Sequence, residues 1–117
     1  MSTEQNAPTP ARWFTFGEAA NQVGTDVSGI KQLVRDGALL AVNVGGERRI
    51  PAALIENGEI SKYLRGVINL LRDGGYDDDE AVAWLLRHDE TLGGTPAWAL
   101  HHFLHREVSR RAQALAF

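Results

Sequence analysis

TFGEAANQVGTDVSGIKQLVRDGALLAVNVGGERRIPAALI, residues 15–55, switches from helical to strand spacing of its apolar residues at Gly37. Thr15 followed three residues later by Glu18 is a capping box, and Phe16, Ala19, Ala20 and Val23 then fall on one helical face. Gly24 stops that helix, and Asp26 caps the next, which carries Ile30, Leu33 and Val34 and ends at Gly37. Only Gly24-Thr25-Asp26 separates the two helices, the length of a tight helix–helix turn. Leu39 to Val44 is rich in strand formers, Gly45-Gly46 reads as a hairpin turn, and Glu47 to Ile50 as the returning strand. Pro51 breaks the strand and is expected to open a helix through Ala52, Ala53, Leu54 and Ile55.

Helix, turn, helix, hairpin is the element order of a winged helix-turn-helix with a two-stranded wing. Upstream, residues 1–11 are polar, with Pro8 and Pro10 flanking Thr9, and are expected to form a flexible tail. Downstream, Asn57-Gly58 reads as a joint. Beyond it Ile60, Leu64, Val67, Ile68 and Leu71 predict a helix ending at Gly74-Gly75. Asp77 and Glu80 cap a second helix with Ala81, Val82, Trp84, Leu85 and Leu86. Thr95-Pro96 starts a third carrying Ala97, Leu100 and Leu104, and Val108, Ala112 and Leu115 mark a last one. The fold class is therefore mainly α: a tail over 1–11, a winged helix-turn-helix over 12–57, and a small all-helical domain over 58–117.

Composition narrows the function classes. There is no cysteine, so disulfides, thiolate metal sites and cysteine nucleophiles are excluded together. No apolar run is long enough to span a bilayer, and MSTEQNAPTPAR lacks the basic-then-apolar order of a signal peptide, so a cytoplasmic protein without membrane contact is expected. The net charge of −3 opposes a polyanionic partner, but the acidic run Asp77-Asp78-Asp79-Glu80 lies outside the N-terminal half. Between Arg12 and Asn57 five bases (Arg12, Lys31, Arg35, Arg48, Arg49) balance five acids (Glu18, Asp26, Asp36, Glu47, Glu56), which leaves room for a locally basic face.

Residues 15–55 resemble the winged-helix domains of the MerR and excisionase-like superfamily. The resemblance is carried by the first helix with Phe16, Glu18 and Ala19-Ala20, Val23-Gly24 at the turn, and Ile30-x-x-Leu33-Val34 in the second helix. Asp36-Gly37-x-Leu39 and Gly45-Gly46-x-Arg48-Arg49-Ile50-Pro51 complete it. The chain departs from that pattern at Val27 and Gly29, where basic or hydroxyl residues are usual. The whole chain, down to RRAQALAF at residues 110–117, is similar to a small actinobacterial family of DNA-binding proteins with a helical C-terminal domain. One member of that family is a serine/threonine-kinase substrate. The resemblance implies double-stranded DNA as partner and a regulatory or nucleoid role, and makes a kinase a candidate partner.

In a helix-turn-helix the second helix enters the major groove. With Ile30, Leu33 and Val34 turned to the core, Ser28, Lys31, Gln32 and Arg35 face outward; Gln32 suits adenine, and Lys31 or Arg35 suits guanine or phosphate. Arg48 and Arg49 beside the wing turn are expected to reach phosphates or the minor groove, one of them more than the other because alternate strand residues point to opposite faces. Thr9 is the candidate phosphorylation site in the tail.

Other constellations carry less. His101 and His105 stand at a four-residue spacing with His102 between them, but H-E-x-x-H is absent and no metal site is expected. The acidic run lacks the spacing of a calcium loop, and neither Gly74-Gly75 nor Gly93-Gly94 continues as a phosphate loop. Nothing assembles a nucleophile, base and oxyanion hole, so neither an enzyme nor a cofactor is expected. Trp84, Trp98 and Phe103 read as core or as an interface for a homodimer. The competing function is a protein-interaction adaptor that grips its partner with the C-terminal helices and uses the winged helix as scaffold.

Overall fold

The Thr15–Glu18 capping box forms as the sequence predicts: the Glu18 N–H donates to Thr15 Oγ1 at 3.0 Å, and the Thr15 N–H donates to Glu18 Oε1 at 2.8 Å. It opens α1 (Phe16–Val23), which ends at Gly24 in the left-handed region; α2 (Val27–Arg35) starts at once from Asp26. In this computed structural model, which describes residues 12–115, β1 (Trp13–Phe14) precedes α1, and β2 (Val42–Val44) and β3 (Glu47–Pro51) follow α2. Thr9 lies outside the described residues. The wing hairpin pairs Val42 with Arg49, Asn43 with Arg48 and Val44 with Glu47. Gly45 and Gly46 have φ of 63° and 88°, the double left-handed turn that matches strand twist and that side chains resist.

Three features depart from the sequence reading around the wing. Trp13 and Phe14 pair with Pro51 and Ile50, so β1 adds a third strand to the sheet in the order β1-β3-β2. Two residues are too short for a period to register in sequence. Pro51 does not open an α-helix: Ala52–Leu54 make one 3-10 turn, and Ile55 is already extended. The reason lies at Asn57-Gly58, whose φ values of 52° and 76° form a second tight turn. That turn joins β4 (Ile55–Glu56) to β5 (Glu59–Ile60), and Ile60 pairs with Ile55 instead of starting a helix.

The remaining helices are α3 (Leu64–Asp73), α4 (Asp78–Leu86), α5 (Pro96–Leu100) and α6 (His105–Ala114). Leu64, Val67, Ile68 and Leu71 recur at helical spacing and are buried, as are Val108 and Ala112 of α6, against which α3 packs. These side chains belong to the same core cluster as Ile30, Leu39, Leu40, Ile50 and Leu54 of the winged part. The helix expected to run through Leu104 stops at Leu100, and Phe103 takes a φ of 66°. That reversal carries Phe103 out of the core: it is 95% exposed, Trp98 is 37% exposed, and Trp84 alone of the three is half-buried.

Candidate nucleic-acid interface

Helix α2 owes its start to Asp26, whose Oδ1 accepts the Gly29 N–H at 2.8 Å. Glycine at 29 has a steric reason: a Cβ there would lie 2.1 Å from Thr25 Oγ1 and 3.2 Å from Thr25 Cβ. A basic or hydroxyl residue at this position would therefore require the Thr25 side chain to move. Ile30 is fully buried and Leu33 and Val34 half-buried, while Ser28, Lys31, Gln32 and Arg35 are all exposed. Successive residues turn by about 100°, so these four share one side of the helix.

The wing meets that side at one place. Lys31 and Arg35 of α2 and Arg48 of β3 line a common cleft floored by Phe16 and Val34. Among the described residues, Lys31 and Arg48 make no ion pair or side-chain hydrogen bond, so both charges are available to a phosphate. Arg35 donates through Nη2 to Gln32 Oε1 at 2.8 Å, and Gln32 Nε2 donates to Asp36 Oδ1 at 2.8 Å. Both ends of the Gln32 amide are thus engaged, each through one of its two hydrogen-bonding positions.

Arg49 is placed differently. It is half-buried and paired with Glu47 at 2.6 Å, on the opposite strand face from Arg48. It also lies close enough to Glu18 to help hold that carboxyl below the usual glutamate range, an effect caused first by the Thr15 N–H, then by the Thr15 hydroxyl. Ser28 stands at the exposed start of α2, outside the cleft. The geometry therefore gathers Lys31, Arg35 and Arg48, attaches Gln32 to Arg35, and leaves Ser28 and Arg49 at the margins.

Two basic residues absent from the sequence reading flank this surface. Arg65 Nη1 donates to the Asp36 carbonyl at 2.7 Å, capping the end of α2, and Arg72 Nη1 lies 3.2 Å from where a Gly37 side chain would begin. Their spacing of seven residues on α3 places both on one face, a signal readable in sequence once α3 is drawn. The histidines, by contrast, do not converge. His102 stacks on Trp98 and pairs with Glu56 at 3.1 Å, and His105 stacks on Tyr63. Among the described residues no group of three metal-ligating side chains forms, and no helix is long and apolar enough to cross a membrane.

Comparison with known proteins assigns both parts of the chain. Residues 4–55 match the family model described as DNA-binding protein Rv2175c, wHTH domain, and residues 61–116 match the Rv2175c C-terminal domain of unknown function. The DNA-binding protein Rv2175c of Mycobacterium tuberculosis is 39% identical over 89% of this chain and 80% of its own length. The NMR structure of Rv2175c superimposes with a TM-score of 0.82 at 33% identity, over 96% of this chain and 86% of that one. The chain belongs to the actinobacterial winged helix-turn-helix family of DNA-binding protein Rv2175c.

Proposed function

We propose that the protein binds double-stranded DNA in the cytoplasm, as a transcriptional regulator or nucleoid-type protein, through α2 and the wing. The observation that carries this is the cleft in which Lys31, Arg35 and Arg48 converge from two elements separated by a turn and a strand. In this reading α2 lies in the major groove, and Arg48 holds the adjacent backbone. The name of the relative from Mycobacterium tuberculosis supports the same partner. The net charge of −3 does not fall on the reading helix: α2 carries no acid, whereas Asp78, Asp79 and Glu80 belong to α4, whose start faces Arg48 across a groove.

A salt titration of binding to a labelled duplex tests the proposal. Phosphate-driven binding weakens linearly on a log–log plot, and replacing Lys31 and Arg35 by alanine flattens the slope by about 0.9 for each phosphate no longer neutralised. The double variant is expected to bind at least about tenfold more weakly, or ~1.4 kcal/mol. Unchanged affinity and slope in that variant would remove α2 from the interface. A second reading, the adaptor, is favoured by the 95% exposure of Phe103 in the turn between α5 and α6. It predicts little binding to duplex DNA at any salt concentration.

A further inference from the structure

The role of the C-terminal helices is open in the family description, and one ion pair bears on it. Between the wing and α3–α4 runs a groove lined by Asn43 and Arg48 on one side and by Arg72, Tyr76 and the aspartates Asp77–Asp79 on the other. Arg48 therefore borders two surfaces at once, this groove and the cleft it shares with Lys31 and Arg35. Arg72 is the next cation along, with its guanidinium against the Gly37 turn that follows α2. It donates to Asp78 Oδ1 at 3.1 Å, and the two side chains are 41% and 44% exposed.

We propose that Arg72 is a further DNA-phosphate contact, supplied by the C-terminal helices and held in reserve by its ion pair with Asp78. The inference rests on the reading of α2 and the wing as the DNA face. An ion pair this exposed contributes little to stability, so its partner is exchangeable at low cost. A duplex crossing α2 and the wing offers one phosphate charge per about 1.7 Å of axis, which competes with a single carboxylate. Arg65, the neighbouring cation on the same face, is instead committed to a backbone carbonyl that no side-chain change removes. Asp77 is likewise committed, since its Oδ1 accepts the Glu80 N–H at 2.8 Å. Asp78, in the first turn of α4 but outside the capping box, is the member of the run whose side chain masks Arg72.

The test uses the full chain and one labelled duplex across a salt series. Asp78→Asn is expected to tighten binding several-fold and to steepen the log–log salt slope by about 0.9, the signature of one additional neutralised phosphate. Arg72→Gln in the Asp78→Asn background should abolish both gains. Glu59→Gln is the control for general charge, because Glu59 lines a pocket with Leu33, about 200° around α2 from Lys31 and Arg35. Asp78→Ser, also favourable in a first helical turn, repeats the measurement if Asp78→Asn unfolds early. A gain that persists without Arg72, or one no larger than that of Glu59→Gln, overturns the inference while leaving the DNA face intact. A parent chain that fails to bind duplex DNA removes that face and the inference with it.

Discussion

Helices α2 and α4 are built to one plan and present opposite surfaces. Each has nine residues and starts from an aspartate whose carboxylate accepts an N–H three residues on, at 2.8 Å in both. Their first turns then diverge. That of α4 carries Asp78, Asp79 and Glu80, which complement the positive end of the helix and repel a polyanion. That of α2 carries no acid, and its exposed side continues into Lys31 and Arg35. Both helices are capped by an aspartate, so capping does not decide function. What separates the proposed DNA-facing helix from α4 here is the charge left over after capping.

The strongest challenge to this comparison is to remove the two caps. Asp26→Ala and Asp77→Ala should each cost about 1 kcal/mol of stability, read as the shift in a denaturant midpoint. The Asp77 variant keeps the backbone N–H that donates to Glu80 Oε1 at 3.0 Å, so only the side-chain half of its capping box is lost and the two costs should be similar. A negligible cost for Asp26→Ala would mean that α2 is held by packing alone, and the two helices would no longer share a plan.

The wing sharpens the same contrast, because Arg48 lies between the basic cleft and the acidic groove. Arg48→Ala should weaken duplex binding about threefold, or ~0.7 kcal/mol. Arg49→Ala should leave it within experimental scatter, since that guanidinium is already paired with Glu47. Equal losses would show that the alternation of strand faces does not sort the two arginines.

The smallest effect expected is at Glu18. Its folded-state pKa is depressed by the Thr15 N–H and hydroxyl, so its contribution is present above the ordinary glutamate pKa of about 4.3 and is lost as pH falls through the depressed value. Glu18→Gln keeps a capping side chain but no charge. Its small deficit in stability near neutrality should disappear below that pH window, and a deficit independent of pH would assign the effect to geometry and not to charge.

How far the residues alone reach depends on the range of the interaction involved. Caps and tight turns are local: Thr15 with Glu18, Asp26, Asp77 with Glu80, and Gly45-Gly46 each act within four residues, and all stand where their side-chain chemistry predicts. The outward set of α2 follows from helical period and is equally legible. The elements misread are those fixed by distant partners. Trp13–Phe14 is a strand because Ile50 and Pro51 offer it an edge, and Ile60 leaves the helical stripe because Ile55 pairs with it across the Asn57-Gly58 turn. Phe103 satisfies a helical apolar pattern yet faces solvent, because a single reversed backbone angle after α5 outweighs that pattern. The sorting of the basic residues belongs to the same class. Lys31 and Arg35 share a helix face by their four-residue spacing, but nothing in the sequence relates that pair to Arg48 or Arg72, the four being spread over 42 positions of chain. Their adjacency arises only when α2, the wing and α3 close on one core, since burial of apolar surface brings together charges that would not approach one another unaided. Sequence chemistry thus determined where the capped helices start and which of their sides are polar, and tertiary packing decided which polar sides became one surface.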